Sequence, residues 1–160
     1  KPFFVSTFQH TVEALIGRPP LHTETQSLDY GITLQGKYFL AAEDNELNAE
    51  ILSEILSMYG AECDLADNGK NAVELFKSSA PGRYDMILMD IQMPEMNGYE
   101  AAKCIRNCNH PNAKSIPIVA MTANAFKEDV QNALNSGMNA HIAKPINVKD
   151  VYRILTQYIK

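Results

Sequence analysis

The chain is 160 residues long and 46% hydrophobic, and it carries 14 Lys and Arg against 19 Asp and Glu for a formal net charge of −5. That length suits one full hydrophobic core plus an appendage. The acidic balance and the lack of a Lys/Arg cluster argue against a nucleic-acid partner, whose phosphates demand clustered cations; no run approaches the ~18 apolar residues of a membrane span, and no basic-then-apolar leader opens the sequence.

In chain order, Lys1-Pro2-Phe3-Phe4-Val5 followed by Phe8, Val12, Leu15 and Ile16 repeats the closing stretch, Lys144-Pro145-Ile146-Asn147-Val148 followed by Val151, Leu155, Tyr158 and Ile159. Residues 1–16 therefore read as the last loop and helix of a preceding copy of the same domain, with an ordinary amphipathic N-terminal helix as the alternative. An apolar stripe of this size is expected to dock, either on its own domain or by two-fold exchange in a homodimer. Residues 17–36, with Pro19-Pro20, read as a linker.

From Lys37 onward, short apolar runs alternate with helix-period stretches. Strands are predicted over 38–42, 61–66, 84–90, 116–121 and 138–142. A helix follows each strand: one after Asn45 that Gly60 stops, one over about 71–77, one after Gly98, one from near Ala125 to Gly137, and one over 148–159. Five βα units imply an α/β fold, a doubly wound five-stranded parallel sheet with helices on both faces. Runs apolar at consecutive positions, such as Met86-Ile87-Leu88-Met89, fit strands covered on both sides. Sites in such sheets lie at the carboxyl ends of the strands.

Two strand ends carry acids. The run ending Met86-Ile87-Leu88-Met89 delivers Asp90, and Tyr38-Phe39-Leu40-Ala41-Ala42 delivers Glu43 and Asp44. Three carboxylates around one point repel unless a cation or a proton intervenes. Mg²⁺, or Mn²⁺ in its place, takes hard oxygen ligands and bridges to phosphate. Cys63, Cys104 and Cys108 form no paired metal motif and read as reduced thiols. His10, His22 and His110 read as ordinary surface residues.

The block from Met89 to Gly98, with Glu43-Asp44-Asn45, Met121-Thr122-Ala123 and Lys144-Pro145 in order, resembles the receiver domain of two-component response regulators over residues 36–160. The phrase Ala42-Glu43-Asp44-Asn45-Glu46-Leu47-Asn48 is most similar to receivers attached to hybrid sensor histidine kinases. The resemblance implies a flavodoxin-like strand order 2-1-3-4-5, an order already documented for this family. It divides the chain into 1–16 from a preceding receiver-like domain, a linker over 17–36 and a receiver over 37–160.

By the same resemblance, Asp90 is the phosphoacceptor of a phosphorelay. Asp44 and Asp90 give side-chain oxygens to Mg²⁺, Gln92 a backbone carbonyl, and Glu43 acts through water. Lys144 and Thr122 contact the phosphoryl oxygens, and Pro145 follows a cis bond that aims Lys144 at the cluster. His141 stands three before the lysine, where many receivers carry a Tyr or Phe switch, so it departs from that pattern. The implied partners are a histidine kinase domain and a histidine phosphotransfer protein. The implied setting is a cytoplasmic fragment, not itself a kinase, that makes no membrane contact of its own and closes a hybrid kinase whose membrane anchoring is left open. No output domain is expected after Lys160; the surface of helix four, strand five and helix five would change on phosphorylation.

Two competitors stay open on residues alone. A phosphatase that uses a strand-end Asp would carry a second Asp where this chain has Gln92, and a non-phosphorylated interaction module would have lost a key residue.

Overall fold

A computed structural model describes residues 34–124 and 126–159. The chain divides into two units, 1–33 and 34–160. The expected N-terminal helix over 1–16, its docking and most of the 17–36 linker lie outside the described residues.

Ten elements alternate: β1 (Tyr38–Ala42), α1 (Glu46–Met58), β2 (Glu62–Ala66), α2 (Gly69–Ser78), β3 (Met86–Asp90), α3 (Gly98–Asn107), β4 (Ile118–Thr122), α4 (Lys127–Asn135), β5 (Ala140–Ala143) and α5 (Val148–Tyr158). All strand pairs are parallel, in the order β2-β1-β3-β4-β5. The expected fold and strand order are those observed. Among the described residues, no helix is long and apolar enough to cross a membrane.

Successive strand side chains point to opposite faces. Leu40, Ile87, Met89 and Ile118 therefore join α2 and α3, through Val73, Phe76, Ala102 and Ile105, in one core. Phe39, Met86, Leu88, Val119 and Met121 join α1 and α5, through Leu52, Leu56, Val151 and Leu155, in the other. Burying each such side chain contributes about 1.5–3 kcal/mol, so the central strands dominate the fold's stability.

Several boundaries differ from the expectation. The expected linker ends earlier, because Leu34 is 2% exposed in the α1/α5 core and its amide donates to the Tyr59 carbonyl at 2.8 Å. β3 begins at Met86 instead of 84 because Tyr84 sends its hydroxyl to Asp64, 2.6 Å away, and Asp85 accepts the Tyr38 amide at 2.9 Å. β4 starts beyond Pro117, which has no amide proton. α2 starts earlier than 71, at Gly69, because the Asn68 side chain caps the Asn71 amide.

Candidate functional site

Because the strands run parallel, their carboxyl ends share one edge of the sheet. Glu43 and Asp44 follow β1, Asp90 ends β3, Thr122 ends β4 and Lys144 follows β5. The register sets them level: Ala42 pairs with Met89, Asp90 with Met121, and Thr122 with Ala143. One oxygen from each of Glu43, Asp44 and Asp90 lies within 4.8 Å of the others, the one such acidic group among the described residues. Glu43 and Asp90 are each 3% exposed, whereas Asp44 faces solvent. The three border a cleft of about 280 Å³ together with Gln92, Thr122 and Lys144.

Lys144 is shared between the two buried acids, its Nζ 2.8 Å from Glu43 Oε2 and 3.1 Å from Asp90 Oδ2. Glu43 Oε1 accepts the Asn45 amide at 3.1 Å, and its Oε2 is buried with the lysine as its short contact. Burial, helped by the charge of Glu43 and opposed by Lys144, pushes the Asp90 carboxyl up to about 7. Burial would lower the Lys144 ammonium, but Glu43 and Asp90 outweigh it and hold the group above its usual range. One lysine therefore offsets a cluster of three carboxylates, two of which it contacts. The donor set consists of hard oxygens carrying surplus negative charge, two of them shielded from water, which fits a divalent cation such as Mg²⁺.

The loop after Asp90 is shaped by close packing. Glu95 adopts φ +64°, and the Met96 amide donates to the Pro94 carbonyl at 2.7 Å, a three-residue turn of the less common hand. Gly98 is required for space: a Cβ there would collide with the Asp90 carbonyl oxygen. Its amide returns to the Ile91 carbonyl at 2.9 Å, which closes the loop beneath Asp90. Asn97 and Glu100 then start α3 with a reciprocal capping box. The Lys144-Pro145 bond is cis, as expected.

The structure brings Glu43, Asp44, Asp90, Gln92, Thr122 and Lys144 to one cleft. His141 is not among its bordering residues; it is half-buried in β5, opposite Ala120. The Thr122 hydroxyl is engaged with its own loop: it donates to the Asn124 carbonyl at 2.7 Å and accepts the Asn124 amide at 3.1 Å. Sequence reasoning missed Asn45, Asn124 and Asp129, which also border the cleft. Asn124 had a usable signal in its place two residues after Thr122, whereas Asp129 lies on the far side of a loop and had none. His110 is no ordinary surface residue: its ring packs 4.4 Å from that of Phe76, and its Nε2 lies 3.1 Å from the Ser79 carbonyl, so it holds the end of α2.

The response regulator receiver domain family model matches residues 39–156. Among curated proteins, hybrid signal transduction histidine kinase B of Dictyostelium discoideum is 44% identical over 130 residues, 76% of this chain and 6% of that protein. The chain spans only 6–8% of the length of the relatives it matches in Dictyostelium discoideum and Schizosaccharomyces pombe. Among solved structures, the receiver domain of a sensor histidine kinase from Pseudomonas aeruginosa, with a magnesium ion coordinated in its active-site cleft, is 37% identical with a TM-score of 0.69. That match covers 78% of this chain and 98% of the other. The receiver domain of a Saccharomyces cerevisiae response regulator, solved with the histidine phosphotransfer signaling protein Ypd1, is 33% identical with a TM-score of 0.67, over 76% and 88% of the two chains. With the fold, the acidic cleft and the shared lysine in hand, these similarities show that the chain belongs to the response regulator receiver domain family of two-component signalling.

Proposed function

We propose that Asp90 is the phosphoacceptor of this receiver and that it takes its phosphoryl group from a phosphohistidine. The observation that carries the reading is a buried carboxylate at the end of β3, paired to Lys144 at 3.1 Å and grouped with Glu43 and Asp44. An Asp90 oxygen attacks phosphorus, the bond from phosphorus to the donor imidazole nitrogen breaks, and its electron pair stays with the imidazole. Lys144 offers a compact positive charge to a phosphoryl oxygen. The Thr122 hydroxyl reaches the phosphoryl group only by leaving the Asn124 backbone that now holds it.

Asp44, Asp90 and the Gln92 carbonyl would hold Mg²⁺, with Glu43 acting through water; Mn²⁺, also a hard cation, is the alternative. When bound, the cation supplies charge neutralisation between the entering phosphoryl group and the carboxylates. His141 stands in β5 at the switch position, and Pro145 sets the direction of Lys144. The similarity to hybrid kinases, and the phosphotransfer protein that accompanies the yeast relative, support a histidine kinase domain and a histidine phosphotransfer protein as partners within a larger hybrid kinase. A cytoplasmic setting follows from that reading. Residues 1–16 are the end of a preceding receiver-like domain, joined by a linker.

Incubation with a small-molecule phosphodonor and Mg²⁺ should add one phosphate, labile to hydroxylamine, and Asp90→Asn should take up none. Equal uptake by that variant would overturn the assignment.

A further inference from the structure

We propose that Asp129, in the first turn of α4, is an outer carboxylate of the cation cleft that holds water ligands of a bound divalent cation and so fastens the start of α4 to the occupied site. The inference rests on the cation reading above and extends it to a residue outside the strand-end set.

Two clefts meet at the carboxyl edge of the sheet, the 280 Å³ cleft over Asp90 and a neighbouring one of about 520 Å³, and Asp129 borders both, as do Asp44 and Gln92. Asp129 therefore shares both clefts with the exposed acid of the triad. Tyr99 borders the larger cleft as well, and the Asp129 charge joins burial in raising its phenol. The Tyr99 hydroxyl lies 3.5 Å from the Asp129 carbonyl, a long contact at the same turn. α4 has little else to hold it, since Ala133 is the one residue that its nine bury.

An outer-sphere role follows from these placements. Mg²⁺ keeps several waters when it binds proteins, and carboxylates beyond the direct ligands orient them. Without a cation, Asp129 adds negative charge to an opening that already has an excess. With one, that charge becomes an attraction, and its site of action is the N-terminus of the least anchored helix. Glu128 shares the first turn and so supplies the same helix-end charge, yet it borders neither cleft. A role limited to the helix dipole would make the two acids equivalent.

The test is Mg²⁺ titration of the full chain by calorimetry, comparing wild type with Asp129→Asn, Asp129→Glu and Glu128→Gln, and with amide exchange of residues 127–133 as a second readout. Asp129→Asn should weaken Mg²⁺ affinity about three- to tenfold, the scale of one nearby charge at a high local dielectric. Asp129→Glu should restore part of the loss, and Glu128→Gln should stay within about twofold of wild type. Mg²⁺ should slow exchange across α4 in wild type but not in Asp129→Asn. Unchanged affinity in Asp129→Asn, or equal losses in both neutralised variants, overturns the proposal while leaving the cation site standing. A wild-type chain that binds no Mg²⁺ takes both readings down.

Discussion

Asp90 is held by opposing influences: burial and the Glu43 charge favour its proton, and Lys144 favours its loss. Its carboxyl rises to about 7 in the folded chain, against roughly 3.9 in an unfolded one. The folded state therefore binds the Asp90 proton more tightly than the unfolded state does. The resulting stabilisation is complete below about pH 4 and disappears as pH rises through about 7. Asp90→Asn keeps the size and removes the titration, so in metal-free buffer the variant should gain stability over wild type between pH 5 and pH 8. Mg²⁺ competes with the same proton and should raise the wild-type melting temperature more at pH 8 than at pH 5. Thermal melts at the two pH values check both, and a variant advantage that shrinks with pH would contradict the assigned cause. Gly98 gives a steric counterpart. Gly98→Ala presses on the Asp90 carbonyl and should cost about 1–3 kcal/mol as overpacking. Gly82→Ala, at φ +77° with open space around it, should cost only the ~1–2 kcal/mol of a left-handed alanine. Denaturant melts measure the two costs, and a phosphodonor assay separates the variants in kind, with uptake at Asp90 impaired only by the first.

At the scale of elements, the helices are unequal. Asn45, Asn68, Asn97 and Asn147 each cap a helix through a side-chain oxygen, an arrangement worth about 1 kcal/mol, whereas the N-cap of α4 is Phe126, with no side-chain cap. The Asn124 backbone is engaged with the Thr122 hydroxyl, and the helix begins later than the sequence suggests, at Lys127. Phe126 and Leu134 are 69% and 47% exposed, so α4 contributes little to the core. Native-state amide exchange should therefore find α4 the least protected helix among the described elements. Phe126→Asn should supply the missing cap and slow exchange there selectively; protection of α4 equal to that of α1 in wild type would contradict the ranking. At the opposite end of the sheet, Tyr38 and Tyr84 both donate to Asp64, at 2.8 and 2.6 Å, while the Arg83 guanidinium lies 3.8 Å from the Tyr38 ring centroid. Burial would raise the Asp64 carboxyl, but the two hydroxyls and Arg83 overcome it and hold it low. Tyr84→Phe should cost about 1 kcal/mol by denaturant melt, the net worth of one hydrogen bond.

For the molecule as a whole, the legible parts were those that sequence neighbours determine. Consecutive apolar runs marked the strands, and the acids at their tips marked the site, because a parallel sheet converts five separate strand ends into one edge. The illegible parts depend on partners distant in sequence. His110 was misread because Phe76 and Ser79 lie more than thirty residues before it, the Asp64 cluster draws on three segments, and Asp129 meets the cleft only once α4 packs. The same convergence sets a tension between stability and charge. Glu43, Asp44 and Asp90 are brought together by a sheet whose core is apolar, and Lys144 pairs with the two buried ones alone. Asp44, exposed and third in the cluster, adds repulsion in the metal-free state and a ligand in the bound one. Asp44→Ala should therefore leave the metal-free melting temperature unchanged or higher. In wild type, Mg²⁺ at 100 times its dissociation constant should add about 2.7 kcal/mol, a rise on the order of 10 °C for a domain of this size. The variant should lose most of that rise at the same Mg²⁺ concentration. A lower metal-free melting temperature would show that Asp44 supports the fold, and an undiminished Mg²⁺ response would remove it from the cation site.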